Sequence, residues 1–326
     1  MLIGAPRSGT TWLQRLLTSH HGVASPQETD LFTRYITPLQ HAWDWQLRGT
    51  SDDWHERRYK GLPSVVTTRQ FDLLVRAFID GAFAHVVAAN PGTNVIVEKS
   101  PAHSLATDAI SRYIPDAPVI HIVRDGRDVA ASLVAASKGW GRSWAPATVG
   151  AAAAMWAQHV TGARDAINHP AGYHEVRYED LRRDGANTLS NVFAAIGIEQ
   201  TLEECGRILA SQTYTSNELR PRSDSIALSG EFGDFNDAEE PPGFFGRSPS
   251  ESWRDWSPSD HRAFDDAAGN LVVHLGYVPN RSSVPRNPIA AAQTSVERFT
   301  ARLLRVAAAR AQRGAQRLEH RVPRAK

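Results

Sequence analysis

Met1-Leu2-Ile3-Gly4-Ala5-Pro6-Arg7-Ser8-Gly9-Thr10-Thr11-Trp12 is the stretch whose reading decides the fold. An apolar triplet suited to a short strand runs into a Gly-x-x-x-x-Gly turn. From Thr10 to Ser19, Trp12, Leu13, Leu16 and Leu17 then recur at helical spacing, with Gly22 as a stop. Strand, glycine-bearing turn and helix in that order have the spacing of a phosphate-binding loop. Glycines let successive backbone N–H groups point into the turn, and the start of a helix adds partial positive charge, so together they cradle an anion. Arg7 places a full cation inside the loop.

Outward from this loop, further β-branched runs occur at Val23-Ala24-Ser25, Asn94–Val97, Val119–Val123 and Tyr173–Tyr178, with helical stretches between them. The alternation predicts an α/β fold, a P-loop-like parallel five-stranded sheet flanked by helices in a single domain. Residues 30 to 90 read as a mainly helical insertion carrying Tyr35, Trp43, Trp45, Trp54 and Tyr59. Arg127–Ala136 and Asp260–Leu275 read as helices, and the Gly, Pro, Phe and acidic residues of 229–250 as a lid-like loop. The domain is expected over 1–280. Pro279, Pro285 and Pro288 then lead into a basic linker and C-terminal helix over 281–326.

Composition narrows the function classes. The chain has 326 residues, 36 Lys+Arg against 35 Asp+Glu, and one cysteine, Cys205. One thiol excludes an internal disulfide and a thiolate zinc site, and His20-His21 lacks a third ligand at metal spacing, so no metal is expected. No apolar run reaches the roughly 18 to 20 residues of a spanning helix, and no signal-peptide pattern opens the chain. A cytoplasmic protein is the expectation, and the short first strand leaves open a start further upstream. Residues 281–326 hold eleven Arg and Lys against Glu297 and Glu319, a net +9 beside −8 on the rest. An acidic body predicts no nucleic-acid partner. The last helix lines Val296, Phe299, Leu303 and Val306 along one stripe, which fits either docking on the domain or a peripheral contact at the inner, anionic face of a membrane.

Three further segments carry chemistry. Thr10 stands where a nucleotide triphosphatase places the Lys that reaches β/γ-phosphates, which argues against ordinary ATP use. Arg124 leaves its strand at the carboxyl edge, where α/β sheets bind ligands, and Ser132 lies about two turns into the following helix. Glu98-Lys99-Ser100-Pro101-Ala102-His103 ends another strand, and Gln27-Glu28-Thr29 lies 21 residues beyond Arg7.

Pro6–Trp12 resembles the loop that holds the 5'-phosphosulfate in sulfotransferases that use 3'-phosphoadenosine 5'-phosphosulfate, and Ile122–Ser132 is similar to that family's 3'-phosphate segment. The motifs look like those of bacterial members, with features of the tyrosylprotein and carbohydrate enzymes. The resemblance implies that Arg7, Ser8, Gly9, Thr10, Thr11 and Trp12 bind the donor at one end, and Arg124 and Ser132 at the other. Tyr178, in Tyr178-Glu179-Asp180-Leu181, would lie near the adenosine. Arg247 or Arg254 would serve as the late basic residue on the 3'-phosphate, with a Trp of Ser252-Trp253-Arg254-Asp255-Trp256 near the purine. It also implies Lys99 and Arg7 as stabilisers of the transferring group and Glu28 as the base, because a hydroxyl becomes a better nucleophile as its proton leaves. His103 is the second candidate base, from comparison with steroid and phenol sulfotransferases. The implied acceptor bears a hydroxyl on a glycan, glycolipid or small natural product. Trp43, Trp45, Trp54, Trp140 and Trp144 read either as faces for such rings or as core. A P-loop nucleotide kinase and a noncatalytic nucleotide-binding protein are the competing readings.

Overall fold

The computed structural model of the protein describes residues 1–26, 28–48, 61–212 and 251–278. Trp54, Tyr59, the lid-like loop with Arg247, and the basic segment 281–326 lie outside the described residues. Met1–Ala268 forms one compact unit and Gly269–Lys326 a second.

Among the described residues, five strands occur where β-branched residues cluster: β1 (Leu2–Ile3), β2 (Val23–Ala24), β3 (Val95–Ile96), β4 (Val119–Val123) and β5 (Tyr173–Arg177). All their pairings are parallel, but the expected five-stranded sheet is divided. One sheet has three strands in the order β1-β4-β5, and β2 pairs with β3 in a second. The division follows from strand length. β1, β2 and β3 each give only two residues to a ladder, and the chain beyond β3 exchanges partners within two peptides. Val97 N–H still donates to Ala24 O at 2.8 Å, whereas Glu98 O already accepts from Leu2 N–H at 2.9 Å. A single Leu2–Lys99 bridge therefore joins the two sheets.

β4 is buried along its whole length and separates two apolar cores. On one side Leu13, Leu16 and Leu17 of the helix Thr10–Thr18 pack with Ile122 and Phe193. On the other, Phe32, Ile36, Trp43, Phe71, Val75, Ile110 and Tyr113 join the insertion to the domain. Each such side chain contributes about 1.5–3 kcal/mol on full burial.

The described residues between 30 and 90 are mainly helical, with one irregularity. A π-helix, Leu31–Ile36, runs directly into the helix Thr37–Arg48, and the long helix Thr68–Ala89 begins at a Thr67/Gln70 capping box. Arg112 ties the two long helices by reaching Asp44 at 3.3 Å and Asp72 at 2.8 Å. Trp43 is core, stacked on Phe71 at 4.2 Å and 9°. No helix among the described residues is long and apolar enough to cross a membrane.

Candidate active site

Parallel strands deliver their carboxyl ends to one edge, and the chemistry-bearing residues gather there. The Gly4–Thr11 turn follows β1, Glu28 follows β2, Lys99 follows β3, Arg124 follows β4 and Tyr178 follows β5.

Two glycines let the turn fit. A Cβ on Gly4 would stand 2.5 Å from the Ile122 carbonyl oxygen, and one on Gly9 would stand 2.7 Å from the Tyr178 ring, at a left-handed φ of 100°. Gly9 occupies the N-cap of the helix Thr10–Thr18 without any capping side chain, so the first amides keep their capacity for an external anion. Arg7 sits at φ 72°, a left-handed conformation that costs a non-glycine residue about 1 kcal/mol or more. Its half-buried side chain reaches the helix that follows β4. Arg7 Nε donates to Ser132 Oγ at 3.0 Å, and its guanidinium lies 5.2 Å from the Trp140 ring centre.

The second cation is held loosely. Arg124 Nη1 donates to the Arg7 carbonyl at 3.3 Å, and its guanidinium covers the Tyr178 ring at 4.4 Å. Asp128 stands 3.7 Å away, but its Oδ1 is engaged by the Glu251 N–H at 2.7 Å. Arg124 Nε is buried with no partner among the described residues, as is Ser8 Oγ within the loop. Trp12 meets Tyr178 edge-on at 5.6 Å. The residues flanking the loop thus offer under-satisfied donors and aromatic faces to a nucleotide-sized anion.

Lys99 is almost wholly buried yet ionically paired with Glu28, which is about half exposed, and its Nζ also lies 3.4 Å from Thr11 Oγ1. The pair therefore stands beside the helix N-terminus. His103 does not face the same space. It is fully buried, its Nε2 accepts from the Phe32 N–H at 3.0 Å, and burial pushes its pKa down to about 3, so the imidazole is neutral.

Among the described late residues, Arg254 pairs with Glu251 at 2.7 Å. Trp253 is buried, with Arg254 and Arg127 over its ring at 4.8 and 3.9 Å. The sequence reading assigned nothing to Arg127, Asp125, Asp128 or Glu98. The crowding of four charges into Arg124-Asp125-Gly126-Arg127-Asp128 was the available signal for the first three, and an acid closing an apolar strand was the signal for Glu98.

The described unit thus combines a helix start that has no side-chain cap with cations at strand ends, a geometry suited to an anion. The sulfotransferase family profile matches residues 1–203, and the chain belongs to that family. A Caenorhabditis briggsae protein named "Putative protein-tyrosine sulfotransferase" is 31% identical over 131 residues, 40% of this chain and 41% of its own. The nodulation protein NoeE of Sinorhizobium fredii is 28% identical over 140 residues, 40% of this chain and 30% of its own, so the chain matches less than half of either relative. Among solved structures, the sulfotransferase domain of the Synechococcus PCC 7002 olefin synthase superposes with a TM-score of 0.51 at 20% identity, covering 86% of this chain and 94% of that one. This last likeness bears on the fold alone.

Proposed function

We propose that the chain transfers a sulfuryl group from 3'-phosphoadenosine 5'-phosphosulfate to a hydroxyl acceptor. The observation that carries this reading is the Glu28–Lys99 pair beside Thr11 at the uncapped start of the helix Thr10–Thr18. A base, a cation and an anion cradle stand within one side chain's reach of each other.

In this reading the amides of the Gly4–Trp12 turn hold the 5'-phosphosulfate, Arg124 and Ser132 hold the 3'-phosphate, and Tyr178 and Trp12 border the adenine. Arg247 or Arg254 is the family-type late basic residue. The donor supplies a sulfuryl group on a phosphate leaving group. Glu28 takes the acceptor's hydroxyl proton as the acceptor oxygen bonds to sulfur and the sulfur–oxygen bond to the phosphate breaks. Lys99 and Arg7 stabilise the negative charge that gathers on the departing oxygen. His103, occupied on Nε2, supports the segment behind Glu28. Trp140 beside Arg7, with Trp144 exposed 5.5 Å from it, suits an acceptor that presents a ring, as a glycan, glycolipid or aromatic natural product does. The basic segment 281–326 would hold the enzyme reversibly at an anionic cytoplasmic membrane face.

Calorimetry with 3'-phosphoadenosine 5'-phosphate and with ATP tests the donor. The bisphosphate is expected to bind without divalent metal and ATP far more weakly; equal affinities overturn the reading. Glu28→Gln is expected to lower turnover by about 10² or more while leaving bisphosphate affinity near wild type.

A further inference from the structure

Behind the Glu28–Lys99 pair, the chain enters the π-helix Leu31–Ile36 through Asp30, whose φ of 50° is left-handed. A helix start leaves several amides without intrahelical partners, and one capping side chain commonly satisfies one of them. Here three successive amides are received by three different side chains. Asp30 N–H donates to Ser100 Oγ at 3.1 Å, Leu31 N–H to Thr29 Oγ1 at 3.1 Å and Phe32 N–H to His103 Nε2 at 3.0 Å.

Two of the three acceptors hydrogen-bond to one carboxylate oxygen, and the third, His103, faces it through an Nδ1 that has no hydrogen-bond partner among the described residues. Glu98 Oε1 accepts from Thr29 Oγ1 at 2.9 Å and Ser100 Oγ at 2.8 Å, and faces His103 Nδ1 at 3.4 Å. The chemistry of the groups makes this a common cause. A hydroxyl has one hydrogen, so giving it to Glu98 leaves lone pairs turned toward the amide. A neutral imidazole that accepts on Nε2 carries its hydrogen on Nδ1, the nitrogen facing Glu98.

We propose that Glu98 is a positioning residue of the transfer site: through Thr29, Ser100 and His103 it fixes the backbone of Asp30–Phe32 and thereby sets Glu28 over Lys99. Its link to turnover rests on the sulfotransferase reading. Glu98 is 2% exposed, and its side-chain contacts are with Thr29, Ser100 and His103, so it acts through these neighbours.

Amide hydrogen exchange at Asp30, Leu31 and Phe32 is the primary test, because it does not depend on activity. Glu98→Ala is expected to speed exchange at all three about tenfold or more. Glu98→Gln keeps a carbonyl oxygen at the hub and is expected to stay near wild type. In parallel, 3'-phosphoadenosine 5'-phosphate affinity should hold within about twofold in Glu98→Ala, while kcat with 2-naphthol, a tyrosyl peptide or a disaccharide as acceptor falls about 10- to 100-fold and Glu98→Gln restores it. Unchanged exchange in Glu98→Ala overturns the proposal, as does a Glu98→Gln variant no better than Glu98→Ala. Should Glu98→Ala not fold, Thr29→Val and Ser100→Ala each remove one strut. They are expected to expose the Leu31 and the Asp30 amide respectively, and protection unchanged in both overturns the proposal. A wild-type chain that transfers no sulfuryl group but shows this exchange pattern sinks the sulfotransferase reading and upholds the network.

Discussion

The end of β4 and the first turn of the helix beyond it hold two arginines that the fold treats in opposite ways. Arg127 is buried and fully answered: its Nε and Nη2 donate to Asp125 at 2.9 and 2.6 Å, and its guanidinium lies 3.9 Å over Trp253. Arg124, three residues earlier, has a carboxylate no nearer than the 3.7 Å of Asp128 and a buried Nε without a partner among the described residues. The first arrangement spends its charge on the fold. The second leaves its charge only weakly answered within the fold, as the proposed contact with an anion requires, although the two side chains are chemically identical.

This contrast is open to direct attack. The largest effect is expected for Arg127→Ala, which strands Asp125 in a nearly buried position. Unfolding free energy should fall by about 4 kcal/mol in a denaturant titration, with little change in bisphosphate affinity among folded molecules.

Next is the buried acid. Burial raises the Glu98 pKa to about 7 from an ordinary 4.5, against the opposing hydrogen bonds from Ser100 and Thr29. Among the described residues, His103 from the following turn, Lys99 beside it and the Met1 ammonium ahead of β1 are the titratable groups that face it. The folded chain therefore holds this proton more tightly than the unfolded chain. The associated stability is complete below about pH 4.5 and is lost as pH rises through about 7, a change of about 3 kcal/mol. Glu98→Gln should remove this slope, and an identical slope in the variant would refute the assignment.

Arg124→Ala should do the reverse of Arg127→Ala. Stability should shift by less than about 1 kcal/mol, while bisphosphate affinity falls about 30-fold through loss of charge-assisted hydrogen bonds. The smallest effect belongs to Arg254, exposed and paired with Glu251: Arg254→Ala should cost about threefold in affinity. If Arg254→Ala weakens binding more than Arg124→Ala, the reserve of charge lies on the other side of Trp253.

Much of this organisation was legible in the chain. Each of the five strands lies within its β-branched run: β propensity and burial agree along the whole of Val119–Val123, and Val176 alone is buried in Tyr173–Arg177. The division of the sheet was not legible, because a two-residue ladder has no periodicity and the change of partner at Val97–Glu98 depends on contacts with Ala24 and Leu2, distant in sequence. The π-helix was equally hidden. Its amides are satisfied by Ser100 and His103, about 70 residues away, and helical spacing in Leu31–Ile36 says nothing of them. At the site, motif spacing named Arg7, Lys99 and Arg124, but the difference between Arg124 and Arg127 is one of geometry. Each is followed by an aspartate in a single charged run, and only the position of Trp253 and Asp125 in space separates them.

The pairing of β1 carries a consequence for how the molecule comes into being. Leu2 and Ile3 find their ladder partners at Ile120 and His121, and the Met1 ammonium is anchored to the Pro118 carbonyl at 2.7 Å. During synthesis from the N-terminus, the anion cradle thus leaves the ribosome more than a hundred residues before the strand that shapes it. Local helices such as Thr68–Ala89 can form early, but the turn at Gly4–Gly9 has no fixed geometry until β4 docks. Ligand-binding competence should therefore appear late and abruptly in refolding, after most of the helical signal has returned, and nascent chains stalled before Val119 should hold no nucleotide at all.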